Sequence, residues 1–100
     1  MAAKLLLVED DRAQAALLTI DLKRRGFEVD AAKSASEAFK KLSGDAYDVV
    51  LTDLKLGDRD GLEVLAVSRR EQPDAEVVVI TGHGSIALAV SAIKSGAFDF

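Results

Sequence analysis

The chain has 100 residues, with 13 Lys and Arg against 17 Asp and Glu and a formal charge of −4. That length suits one domain of ordinary size, and 49% apolar with 30% charged residues describes a packed core under a solvated surface rather than a disordered chain. The acidic balance argues against direct nucleic-acid contact, and the lack of cysteine excludes disulfides and thiolate metal sites while fitting a cytoplasmic location.

Leu5-Leu6-Leu7-Val8 opens the chain as a short continuous apolar run, the pattern of a strand buried on both faces. A helix is predicted from Arg12 to Arg25, with Ala13, Ala16, Leu17 and Ile20 as its apolar stripe, cationic Lys23, Arg24 and Arg25 in its last turn, and Gly26 as its stop. Phe27 to Ala31 alternates in polarity, which suits a strand near a sheet edge. Ser34 and Glu37 have capping-box spacing ahead of a helix to about Leu42. Val49-Val50-Leu51 reads as another buried strand, Leu62 to Glu71 as a helix closed by Pro73, and Val77 to Ile80 as a fourth strand. A fourth helix follows from about Ser85, with Ile86, Ala89, Val90 and Ile93 on one face, and a fifth strand begins at Ala97. No apolar run approaches the roughly 18 residues of a membrane span, and Met1-Ala2-Ala3-Lys4 lacks the build of a signal peptide. Alternation of strand and helix predicts a doubly wound parallel α/β sheet, whose ligands sit at the carboxyl ends of the strands.

The first strand ends in Glu9-Asp10-Asp11, the third in Thr52-Asp53 and the fourth in Thr81. If the first and third strands are neighbours, Glu9, Asp10 and Asp53 converge in one crevice. Grouped carboxylates repel unless a cation joins them, and a hard ion such as Mg²⁺ is the natural partner. A carboxylate beside that ion can attack a phosphoryl group, with the Thr81 hydroxyl within reach of a phosphoryl oxygen. Asp11 is most simply the N-cap of the first helix, His83 has no second ligand at metal spacing, and Phe98 and Phe100 alternate with Asp99 as core residues do. What favours a site is the placement of these groups along one edge. Gly82-His83-Gly84-Ser85-Ile86-Ala87 also fits G-x-G-x-x-A, a dinucleotide fingerprint with Asp99 as its ribose acid, but it lies on the fourth strand and leaves the acids unexplained.

Leu6-Leu7-Val8-Glu9-Asp10-Asp11, Asp48 through Leu56, Asp60-Gly61 and Val79-Ile80-Thr81-Gly82 together resemble the receiver domain of two-component response regulators. The resemblance spans the chain and implies a flavodoxin-like sheet in the order 2-1-3-4-5 and phosphotransfer from a histidine kinase to Asp53. It also implies Mg²⁺ held by Asp10 and Asp53 directly, by Glu9 through water and by the Lys55 backbone carbonyl. Thr81 would be the switch hydroxyl and Phe100 the switch aromatic. The stretch from Thr81 to Phe100 is similar to receivers of nitrogen-regulator-type activators, which carry AAA+ and DNA-binding domains further along the chain. The implied product is a phosphorylation-dependent switch rather than an enzyme, compatible with a homodimer and acting on a C-terminal effector, a transcription activator.

Two departures from that family pattern stand out. Gly57 replaces the usual Pro, so Leu56-Gly57-Asp58-Arg59 is expected to be more mobile. Residues 1–100 are also expected to stop within the fifth strand, ahead of the family's Lys and last helix. An Asp-nucleophile phosphatase of haloacid-dehalogenase type is the rival reading. It wants D-x-D at a strand end, and here that spacing occurs only at Asp58-Arg59-Asp60.

Overall fold

The computed structural model describes residues 2–57 and 59–80. Four strands of five residues each form a parallel sheet: β1 (Lys4–Val8), β2 (Glu28–Ala32), β3 (Val49–Asp53) and β6 (Glu76–Ile80), in the order β2-β1-β3-β6. Between them run the helices α1 (Arg12–Arg24), α2 (Ala35–Gly44) and α3 (Gly61–Glu71). This is the flavodoxin-like order expected, with β6 in the place of the fourth strand. The fourth helix and fifth strand read from the sequence lie outside the described residues, as do Thr81, Gly82, Gly84 and Phe100.

Successive side chains of a strand point to opposite faces, and here each face has its own core. Leu6, Val8, Val50 and Val77 pack with Ala35, Ala38 and Leu42 of α2 and Val64 of α3. Leu5, Leu7, Val49, Leu51 and Val78 pack on the other face with Leu22 of α1, joined by Leu18 and Phe27. Burial on both faces is why these strands are continuously apolar, whereas β2, which pairs only with β1 among the described residues and is mostly not buried, alternates.

The helix ends follow local chemistry. Asp11 caps α1 by accepting from the Gln14 amide at 2.9 Å, and Ser34 caps α2 by accepting from the Glu37 amide at 3.1 Å. Gly26, at φ +98°, closes α1: its amide donates to the Lys23 carbonyl at 3.0 Å and that of Phe27 to the Leu22 carbonyl at 3.1 Å. Only a residue free to adopt the left-handed region makes this Schellman turn without strain.

The predicted stripe of α1 is the face turned away from the sheet. Leu17 is 67% and Ile20 52% exposed, while Leu22 is fully buried and Leu18 packs beside it. The helix carries two apolar arcs, and helical periodicity alone does not say which one meets the strands.

Residues 55–60 also differ from the expected loop. Lys55 and Leu56 pair antiparallel with Asp60 and Arg59, giving a short ribbon of β4 (Lys55–Leu56) and β5 (Arg59–Asp60). Gly57 sits at its turn with φ +67°. Proline, locked near −65°, cannot take that backbone, so glycine here serves the turn rather than merely loosening it.

The amino ends of the strands are held by a polar clasp. The Tyr47 hydroxyl donates to Asp30 at 2.7 Å, Lys41 approaches the other Asp30 oxygen at 3.6 Å, and Lys4 lies over the Tyr47 ring. Gln72, just past α3, accepts from the Tyr47 amide and donates to the carbonyls of Leu42 and Asp45. The Tyr47 hydroxyl, helped by the Lys41 and Lys4 charges, holds the Asp30 carboxyl below its ordinary value of 3.8, while burial and then Asp30 raise the Tyr47 phenol. A depressed aspartate contributes stability that is present above its unfolded pKa and lost as pH falls through the folded one. Tyr47→Phe should therefore cost about 1 kcal/mol in urea unfolding at neutral pH and less at a pH well below the ordinary aspartate value of 3.8; an equal cost at both pH values would count against this coupling.

Candidate functional site

Parallel pairing of β1 with β3 aligns Leu5 with Val49 and Val8 with Thr52. The next residues, Glu9 and Asp53, therefore leave neighbouring strands side by side, at the roughly 4.8 Å spacing of a sheet. One carboxylate oxygen from each of Glu9, Asp10 and Asp53 lies within 4.8 Å of the others. The three acids that the sequence placed conditionally in one crevice are thus brought together.

Their environments differ. Glu9 is buried, Asp10 exposed and Asp53 intermediate. Glu9 donates its amide to the Ala32 carbonyl at 3.0 Å, and its side chain accepts from the Asp11 amide at 3.1 Å. Burial pushes the Glu9 carboxyl above the ordinary glutamate range, and the charges of Asp53 and Asp10 push the same way against the Asp11 amide. A carboxyl so placed is harder to ionise than a free one, and nearby positive charge would ease its ionisation. Three oxygen donors at this spacing, with one acid held above its usual titration range, fit a hard divalent cation.

Asp53 itself is fixed through its backbone. The Thr52 hydroxyl, fully buried, donates to the Asp53 carbonyl at 3.0 Å, and the Leu54 amide donates to the Ile80 carbonyl at 2.9 Å. Asp53 also pairs in register with Ile80, the residue before Thr81 in the sequence. Lys55 is exposed on β4.

Of the D-x-D of the rival phosphatase reading, Asp58 lies outside the described residues, and the other two residues are not at the end of a central strand. Arg59 and Asp60 form β5; Arg59 approaches Glu63 at 3.9 Å and covers the Phe39 ring, and Asp60 caps α3 by accepting from the Leu62 amide at 2.8 Å. Asp60 is thus used structurally. Gly61, legible in the sequence only as part of the Asp60-Gly61 motif, abuts the Asp53 carbonyl. The available signal was a glycine at the start of a helix, where its low helix propensity needs another reason.

The model of the response regulator receiver domain family matches residues 5–100. The chain belongs to this family. It is 44% identical over 98 residues to the photosynthetic apparatus regulatory protein RegA of Rhodobacter capsulatus, covering 96% of this chain and 52% of that one. It is 38% identical to the transcriptional regulatory protein GlrR of Escherichia coli (strain K12), covering 98% of this chain and 22% of GlrR. The receiver thus spans about half of RegA and a smaller share of GlrR. A crystal structure of a response regulator from Burkholderia pseudomallei, with a phosphorylated aspartic acid, calcium ion and citrate, superposes with a TM-score of 0.78 at 37% identity, covering 97% of this receiver and 57% of that chain. Receiver domains of response regulators are phosphoacceptors that work with histidine kinases, and in relatives such as GlrR they are joined to further domains. Among the described residues, no helix is long and apolar enough to cross a membrane.

If mutual repulsion of the three acids is the dominant strain in the metal-free receiver, removing one charge relieves it. Asp53→Asn should raise metal-free stability by about 1 kcal/mol, the scale of one close charge pair near solvent, and reduce the stabilisation that divalent metal gives the wild type. Urea unfolding with and without chelator checks this, and a metal-free Asp53→Asn less stable than wild type would refute it.

Proposed function

We propose that residues 1–100 are the phosphoacceptor module of a signalling switch, with Asp53 as the acceptor. The observation that supports this most directly is the convergence of Glu9, Asp10 and Asp53 at the carboxyl ends of β1 and β3.

An Asp53 carboxylate oxygen attacks the phosphorus of a phosphohistidine on the partner kinase. The new O–P bond makes an acyl phosphate as the N–P bond breaks, and the imidazole nitrogen keeps the electron pair and takes up a proton. Acetyl phosphate would serve as the small-molecule donor for self-phosphorylation in the same way. Glu9, Asp10 and Asp53 would hold Mg²⁺, with the Lys55 backbone carbonyl as a further oxygen; when bound, Mg²⁺ supplies positive charge that offsets repulsion between the acids and the phosphoryl oxygens. The protein's own part is positional. Glu9, buried and held by the Asp11 amide, keeps one acid turned into the crevice, and the paired strands present Asp53 at the open edge.

The response passes to the segment after β6. Phosphorylation adds charge and acceptor oxygens beside Asp53, and Thr81, next in sequence to Ile80, would supply its hydroxyl to them. Phe100 would act as the aromatic that changes packing, re-presenting that surface to an effector. GlrR's description as a transcriptional regulatory protein supports a transcription activator as that effector. Cytoplasmic action with a histidine kinase follows from this reading.

Intact mass of the protein extended past Phe100, after incubation with acetyl phosphate and Mg²⁺, should show one added phosphoryl group, with peptide mapping to Asp53. Asp53→Ala should abolish the gain. Equal phosphorylation of the Asp53→Ala protein would remove Asp53 from the mechanism.

A further inference from the structure

Gly61 is the first residue of α3, and its backbone needs no positive φ. Conformation therefore gives no reason for glycine there, and glycine in a helix costs roughly 1 kcal/mol relative to alanine. Space gives the reason. A Cβ on Gly61 would overlap the carbonyl oxygen of Asp53 and come to 3.0 Å from both the Asp53 carbonyl carbon and the Leu54 Cα. These are backbone atoms, with no flexible end that could swing aside.

The Asp53–Leu54 peptide unit and the Leu54 carbonyl after it are gripped from several sides. The Gly61 amide donates to the Leu54 carbonyl at 2.6 Å, the Leu54 amide donates to Ile80 at 2.9 Å, and the Thr52 hydroxyl donates to the Asp53 carbonyl at 3.0 Å. The sheet side of the Asp53–Leu54 unit is thus held by β6 and Thr52, and the helix side by the bare Cα of Gly61. Asp60 adds the cap that starts α3 at this point, and its pairing with Lys55 ties the ribbon to the same contact.

We infer that Gly61 is a positioning residue for the phosphoacceptor site: its missing side chain sets how far the Asp53 backbone sits back from α3, and so where the Asp53 carboxylate stands relative to Glu9 and Asp10. The role rests on Asp53 being the acceptor. Any side chain at 61 pushes the Asp53–Leu54 unit away from the helix, displacing the carboxylate and the Lys55 carbonyl together. Glu9 and Asp10, carried on the end of β1, do not follow.

The test compares wild type, Gly61→Ala, Thr52→Val and Gly44→Ala, each in the protein extended past Phe100. Gly44 ends α2 with nothing within 4 Å of an added Cβ, so it controls for glycine replacement itself. Two readouts are taken: the rate of phosphorylation by acetyl phosphate as Mg²⁺ is varied, and hydrogen exchange of the Leu54 amide in the metal-free protein. Gly61→Ala should phosphorylate about tenfold to a hundredfold more slowly, the scale of a displacement near 1 Å. It should also need more Mg²⁺ for half its maximal rate, and lose Leu54 protection while Leu7 in β1 keeps its own. Thr52→Val should shift all three in the same direction by less, and Gly44→Ala should match wild type. A folded Gly61→Ala protein with wild-type rate, Mg²⁺ dependence and Leu54 exchange overturns the inference. If that variant does not fold, a Thr52→Val protein unchanged in all three does so instead. Loss of Leu54 protection in Gly61→Ala, with a wild type that takes up no phosphoryl group, refutes the phosphoacceptor reading and leaves Gly61 a purely structural role.

Discussion

Three carboxylates that repel one another are held together because two parallel strands end side by side. The register that sets Val8 opposite Thr52 sends Glu9 and Asp53 out as neighbours, and Asp10 follows one residue later. The fold does not relieve that repulsion; it keeps it. Burial and the nearby charges push the Glu9 carboxyl above its ordinary range, so keeping all three acids ionised costs free energy that a cation would offset. A cation there would also let one more anion approach Asp53.

The remaining structure can be understood as what keeps this arrangement from relaxing. Apolar cores on both faces of the sheet fix the strands against sliding, because a one-residue slip would turn every buried side chain to the wrong face. At the far end, Tyr47, Asp30, Lys41 and Gln72 join α2, β2, the turn before β3 and the end of α3. At the near end, Gly61 and Thr52 close on the Asp53 backbone. Polar bonding is thus concentrated at the two ends of the strands, and apolar packing occupies the middle.

Much of this was legible in the amino-acid order. Continuous runs such as Leu5 to Val8 marked strands buried on both sides, the alternation from Phe27 marked an edge, and Ser34 with Glu37 marked a helix start. The acids at the strand ends were legible as a candidate site once neighbouring strands were assumed. What escaped depended on distance in the fold. Leu17 and Ile20 looked like the inner face of α1 because spacing defines an arc but not its direction. Tyr47 and Asp30 are 17 residues apart, and Tyr47 and Gln72 are 25 apart, so no local pattern announces them. The ribbon at Lys55–Asp60 was hidden by its two-residue strands, too short to show a period, and Gly61 showed its purpose only beside the Asp53 carbonyl.

The central claim is that Glu9, Asp10 and Asp53 act as one cation site created by strand register, and calorimetric titration of Mg²⁺ at neutral pH tests it most directly. The account predicts one saturable site in the wild type that is lost or strongly weakened in both Asp10→Asn and Asp53→Asn. A wild-type protein that binds no Mg²⁺, or an isotherm that both substitutions leave unchanged, would contradict it.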